Sequence, residues 1–308
     1  MRFRKGCNNG GKSIMTAEMS LSVVIRVRNE AKSLRQVFEA LAAQRCNFTW
    51  EVIVVDNASE DETLALCEQY NARVIPIGHD AFTYGRALNL GISKARGKLV
   101  LLCSAHSVPV GSYFLERAVA PFADPHMAAV RCLSGMQAAK WYTACDIQYT
   151  SLEEQQAAES GPQWLAAYPT AACCVIRRSV WEQIPFDEHL EAQEDKLWAS
   201  HVLSKGFKIR SCAEAVFVYT RHRRTIDQWR VRNRQYTALY RLTGQVPLRW
   251  PQFLVRVVRA ALFTPLVAMK YFVNTVVSDA YLVIIPWQAK YPPRAGSLAE
   301  YKKPIVSR

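Results

Sequence analysis

Four places in the chain concentrate residues capable of chemistry. Asp56 closes the apolar run WEVIVVD and is followed by NASEDET. A carboxylate there accepts hydrogen bonds from a ribose or a base edge, and serves equally as a plain strand-to-helix cap beside Ser59. Ser104-Ala105-His106 follows KLVLLC; an imidazole in that place is able to ligate a metal ion, while the commonplace reading is an ordinary surface or core histidine. The segment EAQEDKLWASHVLSKG, 191–206, reads as a loop entering a helix. Glu194 and Asp195 fall in its first turn, Leu197, Trp198 and Val202 on its buried face, and Gly206 ends it. Successive helical residues diverge by about 100°, so the two carboxylates cannot serve one site side by side, and both also suit the positive end of a helix dipole. His222 stands among Arg221, Arg223 and Arg224 just past the run AVFVY.

Such residues act together only if a scaffold sets strand ends next to one another. LSVVIRV, WEVIVVD, ARVIPIG and KLVLLCS are runs of strand length, three of them nearly continuous, as in a parallel sheet covered on both faces. Helical patterns separate them. Leu34, Val37, Phe38 and Leu41 form a stripe after Asn29 and Glu30; a second helix is expected near Ser59, with Glu62 completing a capping box; a third begins near Gly85 and turns Leu88, Ile92 and Ala95 inward. The alternation predicts an α/β fold with an open doubly wound sheet, whose ligands lie beyond the carboxyl ends of the strands. The region 127–220 holds the shorter runs AAVRCL, AACCVI and AVFVY and is expected to join the same globule.

Composition narrows the classes. Of 308 residues, half are hydrophobic and 21% charged, which excludes a disordered or fibrous chain. The balance of 39 Lys+Arg against 26 Asp+Glu, net +13, draws anionic partners. RVRNEA after the first strand lacks the glycine fingerprint of a nicotinamide or flavin domain. GCNNGGKS at 6–13 matches a phosphate loop letter for letter, yet only MRFRK precedes it and a strand follows it, so 1–19 is expected to be a disordered leader. Nine cysteines with no Cys-x-x-Cys pair read as buried free thiols, which points to a reducing, cytoplasmic setting.

Taken in order, VVIRVRNE, VVDNASEDET, GRALNLGISKARG, a strand ending in SAH, and EAQEDKLWASHVLSKG resemble the family 2 glycosyltransferases of the GT-A fold, over about Ser20 to Ala213. The resemblance implies an inverting transferase that moves a sugar from a nucleotide-sugar donor, a UDP-sugar being favoured, to a hydroxyl of a glycan or lipid-linked acceptor in surface polysaccharide assembly. It assigns Arg28, Glu30 and Asp56 to the nucleoside pocket. Asn89 carries over directly from the family's third helix, and Arg86, two positions from the family's arginine, is set toward the phosphates. Asp195 becomes the general base with Glu194 in support. The family normally has Asp-x-Asp after the fourth strand to bind a divalent metal; here Ser104 and His106 replace the two aspartates. An imidazole still ligates Mn²⁺, which it suits better than Mg²⁺, His222 takes the place of a histidine that closes the metal site, and Ser104 is left to a metal-bound water or a donor hydroxyl. The same departure motivates the alternative of a GT-A-like protein that binds without catalysis.

Residues 221–308 change character, and a basic, amphipathic helical region is expected there. Residues 221–245 interleave arginine with Trp229, Tyr236 and Tyr240, a mixture that also suits nucleic acid; that reading leaves the five ordered motifs unexplained and is set aside. No charge-free stretch reaches the ~18 residues of a membrane span. Arg249, Arg256 and Arg259 fall within about 80° of a helical projection, with Phe253, Leu254, Val257 and Leu262 spread over the rest. Such helices either lie on an anionic membrane surface, the inner face of the cell membrane, or pack on the globule or on a second copy.

Overall fold

The four apolar runs of the first hundred or so residues all become strands: β1 (Leu21–Val27), β2 (Trp50–Asp56), β3 (Arg73–Pro76) and β4 (Leu99–Ser104). They pair in parallel in the order β3-β2-β1-β4, so the sheet grows away from β1 in both directions. The structure, a computed structural model, describes residues 21–135, 148–149, 170–220 and 237. The expected leader 1–19, His222 and the C-terminal amphipathic region lie outside the described residues apart from Thr237.

Beyond β4 the sheet turns mixed. β5 (Ser107–Pro109), β6 (Met127–Ser134), β7 (Gln148–Tyr149), β8 (Cys173–Arg177) and β9 (Lys208–Tyr219) extend it in the order β4-β8-β6-β9-β5, with β7 also on β9. β8 runs antiparallel to β4 and β6, whereas β6 and β9 are parallel. The shorter runs of 127–220 thus belong to the same sheet as the first four.

Helices cover both faces because β1 sends alternate side chains to opposite sides. Leu21, Val23 and Ile25 pack with Leu34, Val37, Phe38 and Leu41 of α1 (Ala31–Ala42), with α2 (Thr63–Gln69) and with α4 (Phe114–Val119). Val24 packs on the other side with Ala87, Leu88 and Ile92 of α3 (Tyr84–Ser93) and with Trp198, Ala199 and Val202 of α6 (Glu194–Ser204). A short α5 (Arg178–Gln183) follows β8. α6 ends as its sequence predicts: Gly206 at φ +82° lets its own N–H reach Leu203 O and that of Phe207 reach Val202 O. Leu197, expected on the buried face, is only half-buried, and Leu203 takes that place. The cysteines at 67, 103, 132, 173, 174 and 212 are buried free thiols and Cys46 is half-buried; burial pushes Cys67 up to about 12. Among the described residues no helix is long and apolar enough to cross a membrane. The chain divides into two compact units, Met1–Leu190 with Glu194–Arg221, and Glu191–Gln193 with His222–Arg308.

Candidate active site

Strand order 3-2-1-4 sets the carboxyl ends of β1 and β4 side by side, at the end of an open α/β sheet where ligands bind. Register aligns the residues there. Val27 lies opposite Asp56, and Arg26 lies opposite both Val55 and Ser104.

The turns after β1 and β2 are laced together. Asn29 and Ala58 both adopt positive φ, 52° and 53°. Asn29 N–H donates to the Ser59 hydroxyl, Glu60 N–H to Asn29 Oδ1, Glu30 N–H to the Thr63 hydroxyl and Ala31 N–H to Asp61 Oδ2. Ser59 therefore does not form the expected capping box: α2 starts only at Thr63, after Glu62, and Ser59 and Asp61 brace the turn before α1. Slight burial acts to raise Asp61, but hydrogen bonds from the Thr63 hydroxyl and the N–H groups of Ala31 and Thr63 hold its carboxyl below the ordinary value.

Within this frame Asp56 is 4% exposed. Its Oδ2 accepts from Ser59 N–H at 3.1 Å, while Oδ1 is buried without a hydrogen-bond partner among the described residues. A buried carboxylate oxygen left unpaired is costly; a ligand bearing an N–H or O–H would relieve it. Arg28 reaches His79 Nε2, just past β3, at 2.5 Å, so the segments after β1 and β3, the two neighbours of β2, are in contact.

His106 and Glu30 face each other, Nδ1 to Oε1 3.9 Å, with side chains 17% and 11% exposed. Among the described residues no group of three or more His, Cys, Asp or Glu side chains gathers as a metal cage. Ser104 N–H donates to Ala172 O at 2.8 Å, and the next residue back, Ala171, donates its N–H to Asp195 Oδ2 at 3.0 Å. Two hydrogen bonds thus link the end of β4 to the first turn of α6. Asp195 Oδ1 accepts from Lys196 N–H, and Gln193, at φ 73°, leads into the helix. Glu194 points elsewhere, to Arg26 at 3.6 Å. Burial, and after it the neighbouring Asp195 carboxylate, pushes Glu194 up to about 7, with Arg26 opposing the shift.

Asn89 and Arg86 engage the loop that follows α5. The Asn89 amide donates to Phe186 O and Glu188 Oε1 and accepts from Trp181 Nε1 and Phe186 N–H, so it braces the 184–188 loop against α3. Arg86 pairs with Glu188 at 3.9 Å, largely exposed. Sequence reasoning passed over Arg26, Asp61, Thr63 and Tyr84. Arg26 carried a signal: a guanidinium inside a run buried on both faces requires a partner.

The family model described as Glycosyl transferase family 2 matches residues 22–184. The chain belongs to this family. Among relatives of this family 2 glycosyltransferase, the O-antigen chain rhamnosyltransferase RfbN of Salmonella typhimurium is 26% identical over 206 residues, 64% of this chain and 65% of that protein. The chain thus spans somewhat less than two thirds of that relative's length. The mannosyltransferase PcManGT of Pyrobaculum calidifontis, solved with GDP-Man and Mn²⁺, superposes with TM-score 0.63 at 18% identity over 91% of this chain and 89% of that one. Glucosyl-3-phosphoglycerate synthase of Mycobacterium tuberculosis, solved with Mn²⁺ and UDP, gives 0.52 at 16% identity over 72% and 79%. These likenesses establish the GT-A fold.

Proposed function

We propose that the protein is an inverting glycosyltransferase that passes a sugar, a deoxyhexose or hexose, from a nucleotide-sugar to a hydroxyl of a glycan or lipid-linked acceptor in surface polysaccharide assembly. The observation that carries this reading is that Asp56, with an unpaired buried oxygen, and Asp195, with a carboxylate tied to the backbone just before β8, lie at the same end of the sheet. The rhamnosyltransferase named among the relatives supports a deoxyhexose; a UDP-sugar is favoured as the donor.

Asp56 accepts from the nucleoside, and Arg28, which follows the neighbouring strand β1, adds positive charge at the same sheet end. Asp195 takes the acceptor hydroxyl's proton as that oxygen attacks the anomeric carbon from the face opposite the leaving diphosphate, so one displacement inverts the centre. A pair of carboxyls ~5 to 5.5 Å apart would be needed for retention with a covalent intermediate, and Glu194, engaged by Arg26, does not supply the second. The imidazole of His106 and the carboxylate of Glu30 suit a divalent cation, and they would hold it with Ser104; His222, which the family resemblance adds, lies outside the described residues. Mn²⁺ is favoured over Mg²⁺ by the nitrogen donor, and either supplies positive charge against the diphosphate.

The test is calorimetric titration with UDP-, GDP- and dTDP-sugars, with and without Mn²⁺. One donor class should bind more tightly with the metal, and His106→Ala should weaken that metal-dependent binding more than the metal-free binding. Equal losses remove His106 from the metal site, and a folded protein that binds none of the three overturns the donor assignment.

A further inference from the structure

Arg26 carries a guanidinium into a strand whose neighbours Val24, Ile25 and Val27 are buried. The cost of burying that charge is met from two other elements. Its Nη1 lies 3.6 Å from Glu194 Oε1 on α6 and donates to Tyr84 O on α3 at 3.4 Å, and the guanidinium carbon stands 5.0 Å from the centre of the Tyr84 ring. The two side chains are only 14% and 7% exposed. Glu194 and Asp195 are therefore anchored on different sides of a single helical turn, one by Arg26 and the other by Ala171 N–H. A turn held at two points about 100° apart cannot rotate.

We propose that Arg26 is a positioning residue: by pairing with ionised Glu194 it fixes the rotation of the first turn of α6 and so the direction in which Asp195 presents its carboxylate. Its consequence for turnover rests on Asp195 being the general base; its geometry does not. The charges that reach Glu194 are Arg26 on β1, which favours ionisation, and Asp195 on the same helix, which opposes it. Of the other packed elements, α3 brings Tyr84, whose ring and carbonyl hold Arg26, and β8 brings Cys174, a thiol that burial keeps protonated and that lies within reach of Asp195 and Arg26. Because Glu194 is raised to about 7, the ion pair is present above that pH and is lost as the pH falls through it.

Amide hydrogen exchange on the full chain tests this without any substrate, comparing the parent with Arg26→Met, Arg26→Lys and Glu194→Gln at about pH 8 and about pH 5.5, on protection factors corrected for intrinsic rate. At the higher pH, Arg26→Met and Glu194→Gln should lower the protection of the Ala171 amide about tenfold, within the range for neighbours in one network, while amides of β1 and β4 stay protected. Arg26→Lys, which keeps the charge, should lose less. The parent should fall toward the Glu194→Gln level at the lower pH, and Glu194→Gln should not respond to pH. Equal Ala171 protection in every variant at both pH values, with an intact core, overturns the proposal; if Arg26→Met does not fold, the other two variants carry the same comparison. Turnover separates the two readings. An Asp195→Asn variant of undiminished activity overturns the catalytic role and leaves the exchange result standing, whereas an inactive Asp195→Asn with unaltered exchange in the Arg26 variants overturns only the role of Arg26. In the active enzyme, Arg26→Met should lower kcat with little change in donor KM.

Discussion

Adjacent carboxylates at the start of α6 take different surroundings because helical geometry turns them apart. Glu194 is buried against a guanidinium, and Asp195 accepts from the backbone of the segment entering β8. The second environment ties both carboxylate oxygens to backbone N–H groups, of Ala171 and of Lys196. Asp195→Asn preserves size and one of the two backbone hydrogen bonds but removes the base, so donor affinity should persist while turnover falls by at least ~100-fold, the lower range for general-base catalysis. Steady-state kinetics beside calorimetric donor binding checks this; unchanged turnover in a folded variant would exclude Asp195 from proton transfer. The identity of this pair and its placement in a first helical turn were legible in the residues 191–206. The partner of Glu194 was not, since nothing near it in the chain announces Arg26.

At the level of elements, α3 is the hinge between sheet and loop. Thr83 caps it by accepting from Arg86 N–H and donates its own hydroxyl to Glu188 O, and Asn89 ties the same loop to α5 through Trp181. The helix comes this close only because two of its residues lack side chains. A Cβ on Gly85 would run into the main-chain carbonyl of Asp187, and one on Gly91 would meet Val24 and Val55. Backbone cannot swing aside as a side-chain tip can, so Gly85→Ala should destabilise the fold by about 1–3 kcal/mol, read as a lower urea midpoint with an unaltered slope. Parent-like stability would show that the 184–188 loop yields freely. The helix itself was readable from Leu88, Ile92 and Ala95. Its glycines were not readable as contacts, because a close approach belongs to two elements and only one of them is local.

For the molecule as a whole, the net charge of +13 is the property most open to a direct test. The basic residues among 221–259 and the apolar positions beyond them are proposed to bring the enzyme onto anionic lipid, where a lipid-linked acceptor would be found. Basic side chains near such a surface contribute roughly 1 kcal/mol each, enough for reversible association and too little for permanent insertion. Full-length protein should sediment with vesicles in proportion to their anionic lipid content, and salt should release it as the Debye length shrinks. A chain that ignores anionic vesicles at low salt would assign these residues to packing or to a second copy.

The chain by itself determined all the strands but the short β5 and β7, the longer helices and the strand ends worth inspecting, because apolar runs, helical stripes and cap residues are relations between near neighbours. It also marked Asp56, His106 and Asp195, which stand at the end of a strand, just beyond a strand and at the start of a helix. Only the tertiary structure decided that Ser59 braces Asn29 from 30 residues away instead of capping α2, that Asn89 is engaged by a loop up to 99 residues distant, and that Arg26 meets Glu194. These choices depend on which elements the sheet order brings side by side. A polar side chain offers the same donors and acceptors to every candidate partner, so its sequence context cannot name the one that the fold delivers.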